Sequence, residues 1–456
     1  MKIQQISELT QTLPLYQESE LLSLYREGFL SSELGQVYRH FPFGDIARSF
    51  SLKASRLGRS SYFSAEGKIA LMLLKSYTSL SDKRLVELIN GSIYHQLFCG
   101  IFIRPGAEIK DLKIVSKIRC ELASSLDMDR FQKILAQHWK PLMDSLGVVM
   151  ADATCYESHL RFPTDEKLLW ESIEWTYSQI VSHCSDLKLR RPRSKFDEIA
   201  KRYTSFSKTR KKTLKKKYKL RVSLIYLLDK LLGQLQTIER QYRHSLALND
   251  KYYKRCHTIK EILIQQKQMQ QTRKSCPERI VSIDKPYIRP IVRGKETKSV
   301  EFGAKVNLIQ IDGINFIEHI DFKAFNEGTR GISSIHYAQM LFRKKTTHFA
   351  ADSIYATNKT RKYCSSRPSP VYTCFKPKGK KAKDEAERSK LRSLLSKERS
   401  TRLEGSFGTE KEHYNLRKIK ARTERTEILW ILFGIHTANV VRISKKTQEA
   451  ILKQTA

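Results

Sequence analysis

Two short apolar runs each end on an aspartate followed by a small residue: Val148-Val149-Met150-Ala151-Asp152 before Ala153, and Phe349-Ala350-Ala351-Asp352 before Ser353. Runs of this length predict buried strands that deliver a carboxylate at an exposed end. Elsewhere the period changes. Over about residues 1–140 apolar positions recur at three- and four-residue steps, as in Ile69-Ala-Leu-Met-Leu-Leu74 and Arg84-Leu-Val-Glu-Leu-Ile89, which predicts helices. Between that pair, Ser79-Leu-Ser-Asp82 supplies a turn and an N-cap. A helix-turn-helix and a structural helical hairpin share this pattern.

A first strand is expected over 147–154, followed by helical periodicity from about 166 to 271. The next β-like runs, 300–312 and 315–322, meet at an Asp312-Gly313 hairpin turn. The helical stretch therefore reads as an insertion between the first and second strands. A helix near 334–342, the strand ending at Asp352, a helix from about 357, a strand near 370–375 and carboxy-terminal helices complete the order. Ile428-Leu-Trp-Ile-Leu-Phe433 is apolar enough to pack the preceding segment onto the sheet, with Trp430 in the core.

The charge balance turns two matched carboxylates into candidate chemistry. Lys and Arg number 84 against 47 Asp and Glu, a formal net charge of +37, which favours a polyanionic partner. A basic ribosomal or membrane-surface protein would share that excess. Mg²⁺ prefers oxygen ligands and shares them with phosphate, so paired carboxylates in such a chain point to phosphodiester chemistry. Without a cation, two such charges about 4 Å apart would repel by about 4 kcal/mol at an effective dielectric near 20. Either Asp alone also fits a strand end or a helix cap. The 456 residues, 40% hydrophobic, allow two or more domains with cores and exclude a disordered basic tail.

Eight cysteines are scattered without a Cys-x-x-Cys pair, and Cys256-His257 is the nearest approach to a metal pair, so no zinc site is expected. Reduced, structural thiols in the cytoplasm are the expectation. Residues 1–30 do not read as a signal peptide. The best apolar run, 428–435, is far short of the roughly 18 residues of a membrane span, so a soluble protein with no membrane partner is expected.

A third acid, Glu404, precedes Lys411 by seven residues, close to two helical turns, so both would project from one face about 10.5 Å apart along the axis. Gly405 and Gly408 would each weaken the helix by about 1 kcal/mol. Three basic tracts stand out: Lys211, Lys212, Lys215, Lys216 and Lys217 in the insertion, Lys380 and Lys381 before Glu404, and Arg417 and Lys418 after Lys411. The ordinary reading of a charge run is a solvated face. In the first tract Tyr203, Phe206 and Tyr218 are interleaved and would stack on unpaired bases. For the other two, proximity to Glu404 points to phosphate contact.

Six blocks carry a family resemblance: Asp152-Ala-Thr-Cys-Tyr-Glu-Ser-His-Leu-Arg-Phe-Pro-Thr-Asp165, Arg289-Pro-Ile-Val-Arg-Gly294, Val300-Glu-Phe-Gly-Ala-Lys305, Ala324-Phe-Asn-Glu-Gly328, Ala351-Asp-Ser-Ile-Tyr355 and Glu398-Arg-Ser-Thr-Arg-Leu-Glu-Gly-Ser-Phe-Gly408. In order and context they resemble the IS5-type bacterial insertion-sequence transposases, DDE enzymes with an RNase H-like core, with gaps over about 60–441. The resemblance implies an α/β fold: an RNase H-like mixed sheet over 146–164 and 285–445, a helical basic insertion over 165–284, and an all-α DNA-binding domain over 1–145 before it.

It also implies that Asp152, Asp352 and Glu404 are catalytic and hold two Mg²⁺ or Mn²⁺ ions, with Asp152 bridging them and Lys411 on the DNA backbone. The implied partners are double-stranded DNA, as the element's terminal inverted repeats and as target, and a second copy of the chain on that DNA. The implied location is the bacterial cytoplasm, with the nucleoid. The expected activity is cleavage of the element's ends and joining of the 3′-hydroxyls to target, with no covalent protein–DNA intermediate. A catalytically silent repressor derived from a transposase, and an RNase H-like nuclease without strand transfer, are the rival readings. The wider pattern has an Arg four residues before the Glu; position 400 is Ser, and the neighbouring Arg399 and Arg402 are assigned no role.

Overall fold

The computed structural model describes residues 3–5, 20–50, 52, 61–292, 300–365, 370–376, 378 and 385–455. The fold is mixed α/β. Among the described residues its main sheet has six strands, of which five frame the site: β1 Val148–Glu157, β2 Val300–Ile311, β3 Ile314–Asp321, β4 His348–Ala351 and β5 Tyr372–Thr373. Their spatial order is β3-β2-β1-β4-β5. On one side β2 and β3 form an antiparallel hairpin, turned by Asp312 and Gly313, whose φ angles of 49° and 82° lie in the left-handed region that a tight hairpin turn uses. On the other side β4 pairs in parallel with β1, and β5 with β4. The central position of β1 explains its near-continuous burial from Val149 to Tyr156.

The chain divides into two compact units. The first comprises Met1–Ser158, Ala304–Asp321 and Phe325–Ala456; the second comprises His159–Gly303 and Phe322–Ala324. Residues 1–145, expected as a domain of their own, thus belong to the same unit as the sheet. Their helices include α1 Ala65–Thr78, α2 Asp82–Gly91, α3 Ile114–Ser124 and α4 Met128–Trp139. The reason is visible at Gln132 of α4, which is fully buried. Its amide nitrogen donates to the Ile317 carbonyl at 2.9 Å and its oxygen accepts from the Ile317 N–H at 2.7 Å. A side-chain amide thereby satisfies both backbone groups of a residue on the edge strand β3, and α4 is fixed there.

The second unit contains four long helices, α5 Asp165–Asp186, α6 Phe196–Lys208, α7 Leu214–Gln241 and α8 Asp250–Thr272. Leucines at helical spacing along α7, among them Leu224, Leu228, Leu231 and Leu235, are buried against Leu169, Ile173 and Ile259. Pro290–Val292 pairs antiparallel with Val300–Phe302 in the same unit.

Further helices of the first unit include α9 Gly331–Phe342, α10 Glu404–His413 and α11 Glu424–Thr455. α11 is its spine, buried at Leu429, Ile431, Leu432, Ile435 and Val440, and Trp430 is 6% exposed as a core residue. The Arg119 guanidinium lies 4.6 Å from the Trp430 ring, while Asp82 accepts from Arg119 and pairs with Lys75. This buried cluster ties α1, α2 and α3 to α11. Among the described residues no helix is long and apolar enough to cross a membrane.

The closeness of α11 to the segment after α10 gives a test of sign. A Cβ on Gly434 would lie 2.5 Å from Leu416, itself fully buried, whereas one on Gly408 meets nothing within 4 Å. Helix propensity alone would make both Gly→Ala changes stabilising, by about 1 kcal/mol. Here Gly434→Ala is expected to lower the midpoint of thermal unfolding, by about 1–3 kcal/mol of overpacking, while Gly408→Ala raises it. Calorimetry of the two variants beside the parent chain decides the point.

Candidate active site

Asp152 sits on β1 next to the last residue of its parallel ladder with β4, where Ala151 pairs with Ala351. The register therefore brings Asp352, just past the end of β4, beside Asp152, from residues far apart in the chain; Asp152 is not at a strand end as expected but the fifth of the ten residues of β1, which runs on to Glu157. Asp352 begins a short turn, Ser353–Tyr355, and its carboxylate accepts from its own Ser353 N–H at 2.5 Å. The turn is anchored by Tyr355, fully buried, whose hydroxyl donates to Asn307 on β2; Asn307 in turn donates to Glu318 at 2.8 Å.

Glu404 opens α10 and reaches Asp152 through a residue to which the sequence reading gave no role. One guanidinium nitrogen of Arg399 lies 2.7 Å from an Asp152 oxygen and 2.9 Å from a Glu404 oxygen. Arg399 and Asp152 are largely buried, with side chains 17% and 14% exposed. Asp152 also accepts from the Ala153 N–H at 2.8 Å. Burial pushes its carboxyl up to about 6; Arg399 and the Ala153 N–H oppose that rise, and the nearby charges of Glu327 and Glu404 add to it. Glu327, likewise given no role from the sequence, pairs with Lys305 at 2.7 Å. Gly328 beside it allows a close approach, since a Cβ there would lie 2.7 Å from the Ile354 carbonyl in the turn after Asp352.

The local backbone explains the placement of Arg399. Residues Arg399–Leu403 form a π-turn, closed by the Glu404 N–H donating to the Arg399 carbonyl. In that geometry positions five apart lie above one another, as positions four apart do in an α-helix. An Arg five residues before the Glu thus takes the place that an α-helix gives to one four residues before it. Arg402 turns away and pairs with Glu398 at 2.7 Å.

α10 lies along one face of β1, the face carrying Asp152, Thr154 and Tyr156 at period two. Lys411 shares the β1-facing side of α10 with Glu404, and its ammonium donates to Thr154 Oγ1 at 2.9 Å and lies 5.7 Å from the Tyr156 ring. Glu410 is fully buried, accepting from the Tyr156 hydroxyl and from Asn315 Nδ2, the latter at 2.5 Å. Burial raises the Glu410 carboxyl to about 7 against the opposing hydrogen bonds from Tyr156 and Asn315, and raises the Tyr156 hydroxyl too.

The oxygen donors of Asp152 and Glu404 suit a hard divalent cation, and the Arg399 nitrogen between them marks the position as one that accepts positive charge. Asp352 is at the neighbouring strand end with its carboxylate on its own turn. Among the described residues, no three His, Cys, Asp or Glu side chains form a group able to hold one ion. Of the basic residues, Lys211, Lys212, Lys215, Lys216, Arg417 and Lys418 are exposed and Lys217 is half-buried. Lys380 and Lys381 lie outside the described residues. Tyr203 is stacked on Trp170 at 4.7 Å, and Phe206 lies under the Lys212 ammonium at 5.2 Å. The chain matches no family model, no curated protein and no solved structure.

Two outcomes follow from this geometry. A carboxyl raised on folding binds its proton more tightly in the folded state, so its ionisation costs stability as pH rises from its unfolded value, near 4.5 for a Glu, through about 7. Wild type should lose about 3 kcal/mol across that window from Glu410. Glu410→Gln should flatten the loss, as read from unfolding midpoints between pH 5 and 8. Arg399→Ala, in turn, should show a larger rise in unfolding temperature on adding Mg²⁺ than wild type, since the ion then competes with no guanidinium. An equal rise in both proteins removes the shared position.

Proposed function

We propose that this chain is a DDE-type transposase that binds the inverted repeats at the ends of an insertion sequence, cleaves there and joins the 3′-hydroxyls to target DNA. The observation that carries the reading is the meeting of Asp152 and Glu404 on one guanidinium, on a strand whose parallel neighbour leads into Asp352. The strand order β3-β2-β1-β4-β5, with a hairpin on one side of β1 and parallel strands on the other, supports an RNase H-like core interrupted between its first and second strands.

When bound by Asp152, Glu404 and Asp352, Mg²⁺ or Mn²⁺ ions would supply Lewis acidity at the phosphodiester and activation of the attacking hydroxyl. The rest is done by the chain. Burial of Asp152 limits water at its carboxylate, and the Ala153 N–H fixes its orientation. Arg399, once released from the two carboxylates, has a planar fork matched to phosphate oxygens. Lys411 keeps α10 on β1 through Thr154, so its part in DNA binding is to hold Glu404 in place. Arg417 and Lys418, exposed after α10, offer phosphate contacts that position without specifying sequence.

Sequence reading falls to the helix pair α1 and α2. α1 is buried along Ile69–Ser76, whereas α2 exposes Lys83, Arg84 and Glu87, so α2 is the helix that would meet base edges. Two ends joined in one reaction imply two copies of the chain on DNA.

The test is cleavage of a duplex carrying the repeats that flank the gene. Asp152→Asn, Asp352→Asn and Glu404→Gln should each reduce Mg²⁺-dependent cleavage by about a hundredfold or more while duplex binding stays within a few fold. Near-parental cleavage by any one variant removes that residue from the site. Tight repeat binding by a wild-type protein that never cuts would make the chain a DNA-binding repressor.

A further inference from the structure

In the second unit, away from the carboxylates, the start of α7 and the end of α8 border a cavity of about 550 Å³. Five cationic side chains line it, Lys215, Arg221, Arg273, Lys274 and Arg279, against one acid, Asp165. That acid is already committed, pairing with Arg221 at 3.4 Å and Arg279 at 3.1 Å. Lys215, Arg273 and Lys274 are exposed at its rim. Arg221 also keeps a buried Nε with no hydrogen-bond partner among the described residues.

The apolar part of the same cavity is Tyr218, 53% exposed, with Leu214 at 84% and the buried Met269. Cations around an exposed aromatic ring suit a ligand with phosphates and a flat face. The first turn of α7 adds to the argument: it carries Lys215, Lys216 and Lys217 and no acid, an arrangement that opposes the helix dipole unless an anion compensates it.

The feature continues beyond the cavity. Leu214, Tyr218, Val222 and Tyr226 recur every fourth residue along α7 and are all exposed, Tyr226 by 70%. They form a stripe that spans about 18 Å of helix, longer than one nucleotide and ending on a second exposed ring. We propose that this cavity and stripe bind a single-stranded nucleic acid, with a base stacked on Tyr218 and the backbone phosphates met by Lys215, Arg273 and Lys274. The site does not rest on the transposase reading, and the residues it uses are none of those assigned to cleavage.

The experiment uses the full chain and labelled oligothymidylate of about twenty nucleotides beside a duplex of equal length. Tyr218→Ala should weaken oligothymidylate binding about tenfold and leave duplex binding unchanged, with Tyr218→Phe restoring it because the ring still stacks. Arg273→Gln with Lys274→Gln should lower the slope of log affinity against log salt by about 0.7 per contact on the single strand. Lys251→Gln with Lys254→Gln, the same charge removed elsewhere on the unit, should not. Unchanged single-strand affinity in Tyr218→Ala overturns the proposal, as does an equal loss on both DNAs. Displacement by poly-glutamate or by thymidine monophosphate as readily as by the unlabelled oligonucleotide would also overturn it, pointing to an acidic protein or a free nucleotide instead. Cleavage assays on Asp152→Asn read the other proposal separately.

Discussion

The seat of α10 on β1 rests on a carboxyl group buried without solvent. Glu410 is only 1% exposed and is answered by Tyr156 on the strand and Asn315 on the neighbouring hairpin. An isolated buried carboxylate would cost several kcal/mol, which these two donors and the retained proton reduce. Because they come from fixed positions on two strands, they set both the rotation of α10 and its height along β1. Lys411 then falls over Thr154, and Glu404 falls where Arg399 can join it to Asp152. A slip of one residue on β1 would turn Asp152, Thr154 and Tyr156 to the opposite face and undo all three contacts.

The strands were legible because their chemistry is local: short apolar runs, β-branched residues and an Asp312-Gly313 turn leave few alternatives. The insertion was legible from a change of period. What the pattern could not show was that the amino-terminal helices share a unit with the sheet. That depends on Gln132, a polar residue amid helical spacing whose partner, Ile317, lies far along the chain. A buried amide and a surface amide look alike until the strand edge it completes is known.

At the candidate site, the sequence showed the strand end at Asp352 but not that β1 runs on past Asp152 to Glu157, and the nearness of the two followed from the parallel register. Arg399 could not be placed, because counting in α-helical steps puts position 400, a serine, one turn before Glu404. One extra residue, absorbed as a π-turn, moves the Arg into line. The aromatic residues near the lysine tract show a related gap, since spacing does not say which side a ring faces. Tyr203 stacks inside its unit on Trp170, while Tyr218 stays exposed.

Between β1 and β2, hydrogen-bonded neighbours in the sheet, the chain travels through most of the second unit and returns. Closing a loop costs entropy only as the logarithm of its length, about 0.6 kcal/mol for each doubling. The larger difficulty is kinetic, since strands so separated meet rarely while the intervening chain is loose. A helical unit with its own leucine core would remove much of that delay if it condensed first, because a compact insertion is a shorter tether than a loose one. The sheet then needs from the insertion only that its two ends return close together. Any module meeting that condition, shorter or longer, would leave the register of β1 beside β2 unchanged, so the joints at its ends are where this architecture is open to exchange.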